Sequence, residues 1–304
     1  RLCVLCIGAV KFDRFLVVQL GRHARAIDDR FDQCQPLFID RDDAKVRAPG
    51  TKSTGGGWNV TTSAVYFADR FSRRFNIPDD LRANADPVFA NLDGDATEFV
   101  TDNMLMRREV AFATDFFVTT VWGTDKTGTT DFVKWSDYGG SNPLVDVDDW
   151  KDVVEGKTGV EPGHMAMGKA PWLKLKNHPQ LMDRIKYTQR AQITTELMAS
   201  LMELAALFVG RSIYTTSLEG TAEASVTYTR IWGDRLLLIY RTDRPSLMRP
   251  SAGYTFVWNR VPNAKQYIKR MRDEEREIDI IEGNGYWDQK LTAKNAGLLA
   301  DDVT

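Results

Sequence analysis

The chain has 304 residues, 43% of them hydrophobic and 27% charged, with a formal net charge of −2. A chain of this size and composition folds into one or two large compact units that bury roughly three quarters of the unfolded surface. Near-neutral charge argues against a cationic protein that wraps nucleic acid, and the longest apolar runs, Leu2 to Val10 and Leu204 to Val209, fall far short of the ~20 residues of a membrane span.

Residues 1–35 show no clean alternation of apolar and polar positions. No secretory signal is clear, and Arg1 in place of Met is expected of a processed or incomplete chain. Cys3-Val4-Leu5-Cys6 has the spacing of half a zinc site or a redox pair. Its nearest further ligands, His23 and Cys34, stand at no standard spacing, which favours coincidence over either chemistry.

From Pro36 the pattern becomes legible, with Leu37-Phe38-Ile39 as a short strand. Pro49-Gly50 and Gly55-Gly56-Gly57 are strong breakers, so Val46 to Trp58 is expected to be a loop tip. Val60 to Phe71, rich in Val, Thr, Tyr and Phe, returns as a strand. Both of its faces are partly apolar, and a lone hairpin cannot bury both, so a neighbour is expected to cover one.

After Ile77-Pro78-Asp79-Asp80 comes a helical turn around Asp86-Pro87-Val88-Phe89. Asp95 and Glu98 have capping-box spacing. Leu92, Ala96, Phe99, Asn103, Met106, Val110, Ala113 and Phe117 then step by fours and threes, predicting a helix with one apolar seam. About 22 residues at 1.5 Å each make it a rod of roughly 33 Å. Its Met and Phe residues are expected to be packing.

Val118 to Trp122 and Phe132 to Trp135 are expected as strands. Val147, Trp150, Val153 and Val154 mark a helix that Gly156 should stop. Met165 to Met167 is a short strand, Leu173–Lys176 and Leu181–Tyr187 are short helices, and Leu197, Leu201, Leu204 and Phe208 mark another helix. Arg235 to Tyr240 reads as a buried central strand, so Pro143 to about Arg244 forms an α/β unit with Pro245–Pro250 as its exit. Tyr254, Phe256 and Trp258 alternate along a strand, Gln266 to Arg272 opens another, and Asp273 to Asp279 is a solvated charge run.

Chemical motifs are weak. Gly163-His164-Met165-Ala166-Met167-Gly168-Lys169-Ala170 has phosphate-loop spacing, but Ala170 stands where a hydroxyl must hold magnesium. Its His-Met-Ala-Met core is strand-like, whereas a phosphate cradle needs small residues with free amides. Asp93-Gly94-Asp95 fails as a calcium loop at its sixth position, Glu98, and its twelfth, Met104. The histidines are His23, His164 and His178, and nothing in the sequence places a serine beside any of them. The pairs Asp148-Asp149 and Glu274-Glu275 diverge on any regular element, and Arg73-Arg74 and Arg107-Arg108 are balanced by nearby acids. No catalytic residue, metal ligand or cofactor is therefore expected.

Several ordered blocks carry a resemblance. They include Arg47-Ala48-Pro49-Gly50-Thr51 with Gly55-Gly56-Gly57, Ile77-Pro78-Asp79, Arg82-Ala83-Asn84-Ala85-Asp86 and Asp95 to Val100. Further blocks are Arg107 to Ala111, Trp122 to Asp125, His178-Pro179 with Asp183 to Tyr187, and Pro250 to Phe256. Over about Pro36 to Thr304 the chain resembles tailed-bacteriophage major capsid proteins with the Hong Kong 97 fold. The resemblance implies an α+β fold with an extended loop hairpin, a long spine helix, a peripheral domain and an inserted α/β axial domain. On this chain those would be 36–76 for the loop, 77–138 with 245–304 for the peripheral domain and 139–244 for the axial domain, after an arm at 1–35.

The function so implied is assembly of hexamers and pentamers into an icosahedral head. That head encloses double-stranded DNA without sequence-specific contacts, in a virion assembled in the host cytoplasm. The implied partners are further copies of the chain, with portal, scaffold or decoration proteins, and no membrane. Arg47, Lys52, Trp58 and Tyr66 would touch neighbouring subunits. Some family members join a loop lysine covalently to an asparagine next door; Lys52 is the candidate, and the expectation is against that bond. The competing readings are the shell of a cellular nanocompartment and a soluble α/β nucleotide-binding enzyme using Lys169.

Overall fold

The computed structural model describes residues 17–20, 67–85, 91–185, 193–218, 220–242, 251–258 and 266–304. The loop tip at 46–58, the CxxC, the turn at 86–89 and the exit at 245–250 lie outside them. The fold is α+β. In chain order, β1 (Val17–Leu20), β2 (Asp69–Pro78), α1 (Asp79–Ala83) and α2 (Leu92–Phe116) come first. They are followed by β3 (Asp125–Thr127), α3 (Pro143–Thr158), β4 (His164–Gly168), α4 (Lys169–Lys176), α5 (Pro179–Ile185) and α6 (Thr195–Leu201). Then come β5 (Ala206–Gly210), β6 (Ile213–Thr215), β7 (Tyr228–Arg230) and β8 (Leu236–Ile239). The chain finishes with β9 (Gly253–Trp258), β10 (Tyr267–Asp273), β11 (Ile278–Leu291) and β12 (Gly297–Asp301).

Two five-stranded sheets result. In the first, β11 runs between β10 and β2, pairing antiparallel with both, and continues into antiparallel pairing with β9, which pairs parallel with β1. The second has the order β3-β12-β8-β4-β5. Its strands alternate cleanly. Met165, Met167, Leu236, Leu238, Leu298 and Ala300 face one way, into a core shared with α3 to α6. Ala166, Leu237, Ile239 and Leu299 face the other way, onto Phe112, Phe116 and Phe117 of the α2 end. Both faces are covered, which is why β8 reads as an unbroken apolar run.

The expected long helix is α2, but its cap and its buried face differ from expectation. The N-cap is Asn91, whose side chain accepts from the Gly94 amide, in place of the Asp95–Glu98 box. Ala96, Val100 and Met104 form the buried stripe, while Phe99 and Met106 are each 40% exposed. The helix is pressed onto the first sheet so closely at Gly283 that a Cβ there would overlap Val100 Cγ1. That approach rotates the buried stripe away from Phe99, which instead packs edge-on against Phe75 with the Arg73 guanidinium over its ring.

Other boundaries shift for local reasons. Residues 118–122 are turns, with Thr120 at φ 74°, and 132–135 make only an isolated bridge between Phe132 and Gly128. Helix α3 passes through Gly156 and ends on Gly159, a left-handed cap at φ 67°. The helix expected to reach Phe208 stops at Leu201, because the chain turns through Glu203 at φ 53° into β5. The strand of 14 residues, β11, has no counterpart among the sequence-predicted elements.

Placing a Cβ at position 283 tests the helix–sheet contact. Gly283→Ala is expected to destabilise the subunit by about 1–3 kcal/mol in urea unfolding, and adding Val100→Ala should return part of that loss. Equal stability of Gly283→Ala and the parent would contradict the close approach.

Candidate functional site

The near-phosphate loop occupies the end of β4 and the start of α4. A Cβ at Gly168 would overlap the carbonyl oxygen of Gly233, and one at Gly210, the paired residue on β5, would overlap the Trp232 ring. The segment 232–233 thus lies directly against both glycines and occupies the positions their Cβ atoms would take. These glycines serve close backbone packing.

The structure does place a serine beside a histidine, which the sequence could not reveal. Ser141 Oγ lies 3.0 Å from His178 Nε2, in a fully buried setting under the Tyr138 ring. The Ser141 hydroxyl donates to the Asp137 carbonyl at 2.5 Å, so the proton between serine and histidine comes from Nε2. A nucleophilic serine needs the reverse arrangement, with its own proton directed at the imidazole. The pair is a structural lock that ties the 137–141 turn to the start of α5. Burial holds the His178 imidazole below the usual histidine range.

Polar groups elsewhere also tie elements together. Ser212 donates to Glu109 Oε2 at 2.7 Å, linking mid-α2 to the base of β6, and burial raises the Glu109 carboxyl above its ordinary range. At the C-terminus of α2, the Trp122 indole donates to the Phe116 carbonyl at 2.7 Å and Arg235 donates to the Phe117 carbonyl. Arg235 is itself held by Asp301 at 2.7 Å. Two otherwise orphaned helix carbonyls are thereby satisfied, one of them by a cation that suits the dipole.

The charge run after β10 forms a hairpin turn in an ion-pair network. Arg272 donates to both Asp79 oxygens at 2.6 and 2.5 Å and to Asp279 at 3.2 Å, while Arg82 bridges Asp93 and Asp279 at 2.8 and 2.9 Å. The Arg272 side-chain hydrogen bond is the main reason the Asp79 carboxyl sits below its ordinary range. These groups are exposed, so each pair adds little stability.

Among the described residues, no group of three or more His, Cys, Asp or Glu side chains could hold a metal ion, and no helix is long and apolar enough to cross a membrane. The outward surface carries apolar side chains instead. Ile213, Leu218 and Tyr228 are exposed on the two-stranded β6–β7 projection, Leu218 at 84%. Val145 stands exposed on α3. The contact residues expected from the sequence, Arg47, Lys52, Trp58 and Tyr66, lie outside the described residues.

Comparison with known proteins points the same way. Residues 122–249 match the family described as Phage major capsid protein E. The chain is 28% identical over 169 residues, 54% of its length, to the major capsid protein of Burkholderia phage BcepMu, and spans about half (51%) of that curated relative. Its fold is similar to that of a phage-related protein from Bordetella bronchiseptica, with a TM-score of 0.72, 18% identity and coverage of 98% of this chain and 93% of that one. It is also similar to the capsid structure of cyanophage P-SCSP1u, with a TM-score of 0.51, 12% identity and coverage of 86% and 80%. The chain thus resembles phage major capsid proteins in sequence and in fold.

The His178 lock has a pH signature. A histidine held neutral by burial contributes stability that is complete above its unfolded value, about 6.5, and is lost as pH falls. Buried carboxyls such as Glu109, Asp146 and Asp234, all raised by burial, act with the opposite sign, gaining stability on protonation. His178→Gln removes the first effect alone. Its stability deficit relative to the parent should therefore shrink as urea unfolding is repeated from about pH 7.5 down to about pH 5. A deficit that stays constant with pH would count against a buried neutral imidazole.

Proposed function

We propose that this chain is the major capsid protein of a tailed bacteriophage, self-assembling into the hexamers and pentamers of an icosahedral head around double-stranded DNA. The observation that carries the proposal is the sequence match to phage capsid proteins over 122–249, in a chain whose framework is one long helix braced by two sheets. The relatives matched in sequence are phage capsid proteins, which favours a virion over a cellular nanocompartment. The close packing of Gly233 on Gly168 and the donation of the Ser141 proton to the Asp137 carbonyl, away from His178, favour assembly over an enzyme.

In this reading the fold is of the Hong Kong 97 type. Residues 36–76 form the extended loop, α2 is the spine, 77–138 with 245–304 form the peripheral domain and 139–244 the axial domain. The terminal strand β12 then crosses back, pairing with β8 inside the axial sheet and with β3 at its edge. Arg47, Lys52, Trp58 and Tyr66 supply contacts to adjacent subunits, and Lys52 makes no covalent bond. The chain resides in the capsid of the virion after assembly in the host cytoplasm, with portal, scaffold and decoration proteins as its other partners. Its near-neutral charge suits a wall along which packaged DNA moves without sticking.

Electron microscopy of the purified full chain should reveal uniform hollow shells; a protein that stays monomeric at every concentration would contradict the proposal. Removal of residues 46–58 is expected to leave a folded subunit that cannot close shells. Normal particles from that deletion would exclude the arm's role.

A further inference from the structure

Two unpaired charge patches of opposite sign lie toward opposite ends of the second sheet. At one end, β4 and β5 run parallel with Gly168 opposite Gly210, so the residues that follow, Lys169 and Arg211, emerge side by side. Arg230 joins them, because it pairs with Ile213 in the β6–β7 projection. Arg211 and Arg230 are exposed and Lys169 partly so. Burial, then the positive charges of Arg211, Arg230 and Lys176, holds the Lys169 ammonium below the ordinary lysine range. Toward the other end, α3 packs on β12 and the turn that leads into it. Its outer face presents Asp148, Asp149, Asp152 and Glu155, all exposed and spaced to share one side of the helix. Among the described residues, none of these cations or acids is in an ion pair.

The patches cannot neutralise each other within one chain. From β12 to β5 is three strand spacings, roughly 14 Å, beyond the screening length of physiological salt. Each also has an exposed apolar neighbour: Ile213 and Tyr228 beside the cations, and Val145 one turn before Asp148 and Asp149. A desolvated apolar centre with a charged rim is the anatomy of a protein interface.

We infer that the Lys169–Arg211–Arg230 patch of one copy receives the acidic outer face of α3 from the next copy. The contact is head-to-tail, the type that closes into a ring when successive copies are related by rotation about one axis, as a capsomer requires. This inference rests on the capsid reading and names the partner surface within it. A second copy fits better than nucleic acid. The complementary patch is on the same chain, the chain is near neutral, and three cations beside apolar residues are a poor track for a phosphate backbone.

Charge exchange in the full chain tests it. Arg211→Glu with Arg230→Glu, or Asp148→Lys with Asp152→Lys, should each raise the concentration needed for assembly by about ten-fold or more, read by sedimentation velocity. All four changes in one chain should restore assembly toward the parent level. Circular dichroism matching the parent establishes that each variant folds. The milder Arg211→Gln with Arg230→Gln should also weaken assembly and reduce its dependence on salt. Assembly indifferent to the reversals, or not restored by the four-fold exchange, overturns the inference while leaving the capsid reading intact. So does assembly that persists in the cation variants while their particles lose retention of double-stranded DNA, which would assign the patch to nucleic acid. A parent chain that never assembles overturns both readings.

Discussion

The last turns of α2 are buried against one sheet while its first turns are pressed onto the other, and most of the molecule's geometry depends on that double engagement. Ala96 packs with Ile77 and Ile281 of the first sheet, and Val100 lies on Gly283. About four turns later Phe112, Phe116 and Phe117 are buried with Leu237 and Leu299 of the second, and with Trp122 and Trp232 from the turns beside it. Val100 at one end and Phe112, Phe116 and Phe117 at the other each contribute about 1.5–3 kcal/mol when fully buried, so neither end can lift off cheaply. The hydrogen bonds from Trp122 and Arg235 to the terminal carbonyls, and from Ser212 to Glu109, fix how the helix meets the second sheet.

That engagement gives the framework its direction. Strand β2, which follows the sequence-predicted arm, pairs along most of β11 and is stacked to it through Phe71 and Trp287 at 4.1 Å. Asn284 of β11 accepts two bonds from Arg70 of β2, at 2.9 and 2.6 Å. The base of the arm is thereby tied to the strand on which α2 rests. Groups that resemble catalytic parts are spent inside the same framework: Ser141 and His178 brace a turn, and Gly168 admits the backbone of Gly233. The outer surface carries exposed apolar residues and separated charges.

Much of this was legible in the residues. The 3.6-residue rhythm located α2, and the unbroken Leu236 to Ile239 located the central strand, because both signals come from burial that every such element must show. The seam of α2 was misplaced because Phe99 and Val100 are both apolar, and only the close approach at Gly283 decides which faces inward. Strand β11 escaped notice because Gly283, Asn284 and Gly285 interrupt its apolar pattern. Those residues are there for a passing helix and for Arg70, which are distant in sequence. The Ser141–His178 contact spans 37 positions and leaves no local trace. The charge patches were equally hidden, since Lys169, Arg211 and Arg230 become neighbours only through strand pairing.

Helix α2 unites the two sheets into one cooperative body, and residue-resolved hydrogen exchange of the native subunit tests this union. Amides throughout the buried length of α2, from Ala96 to Phe116, should open with the same free energy as those of β8 and β11, in a single global event. If the N-terminal half of α2 and β11 opened together at distinctly lower free energy than β8, the helix would be hinged between two independent bodies, which contradicts a single cooperative unit.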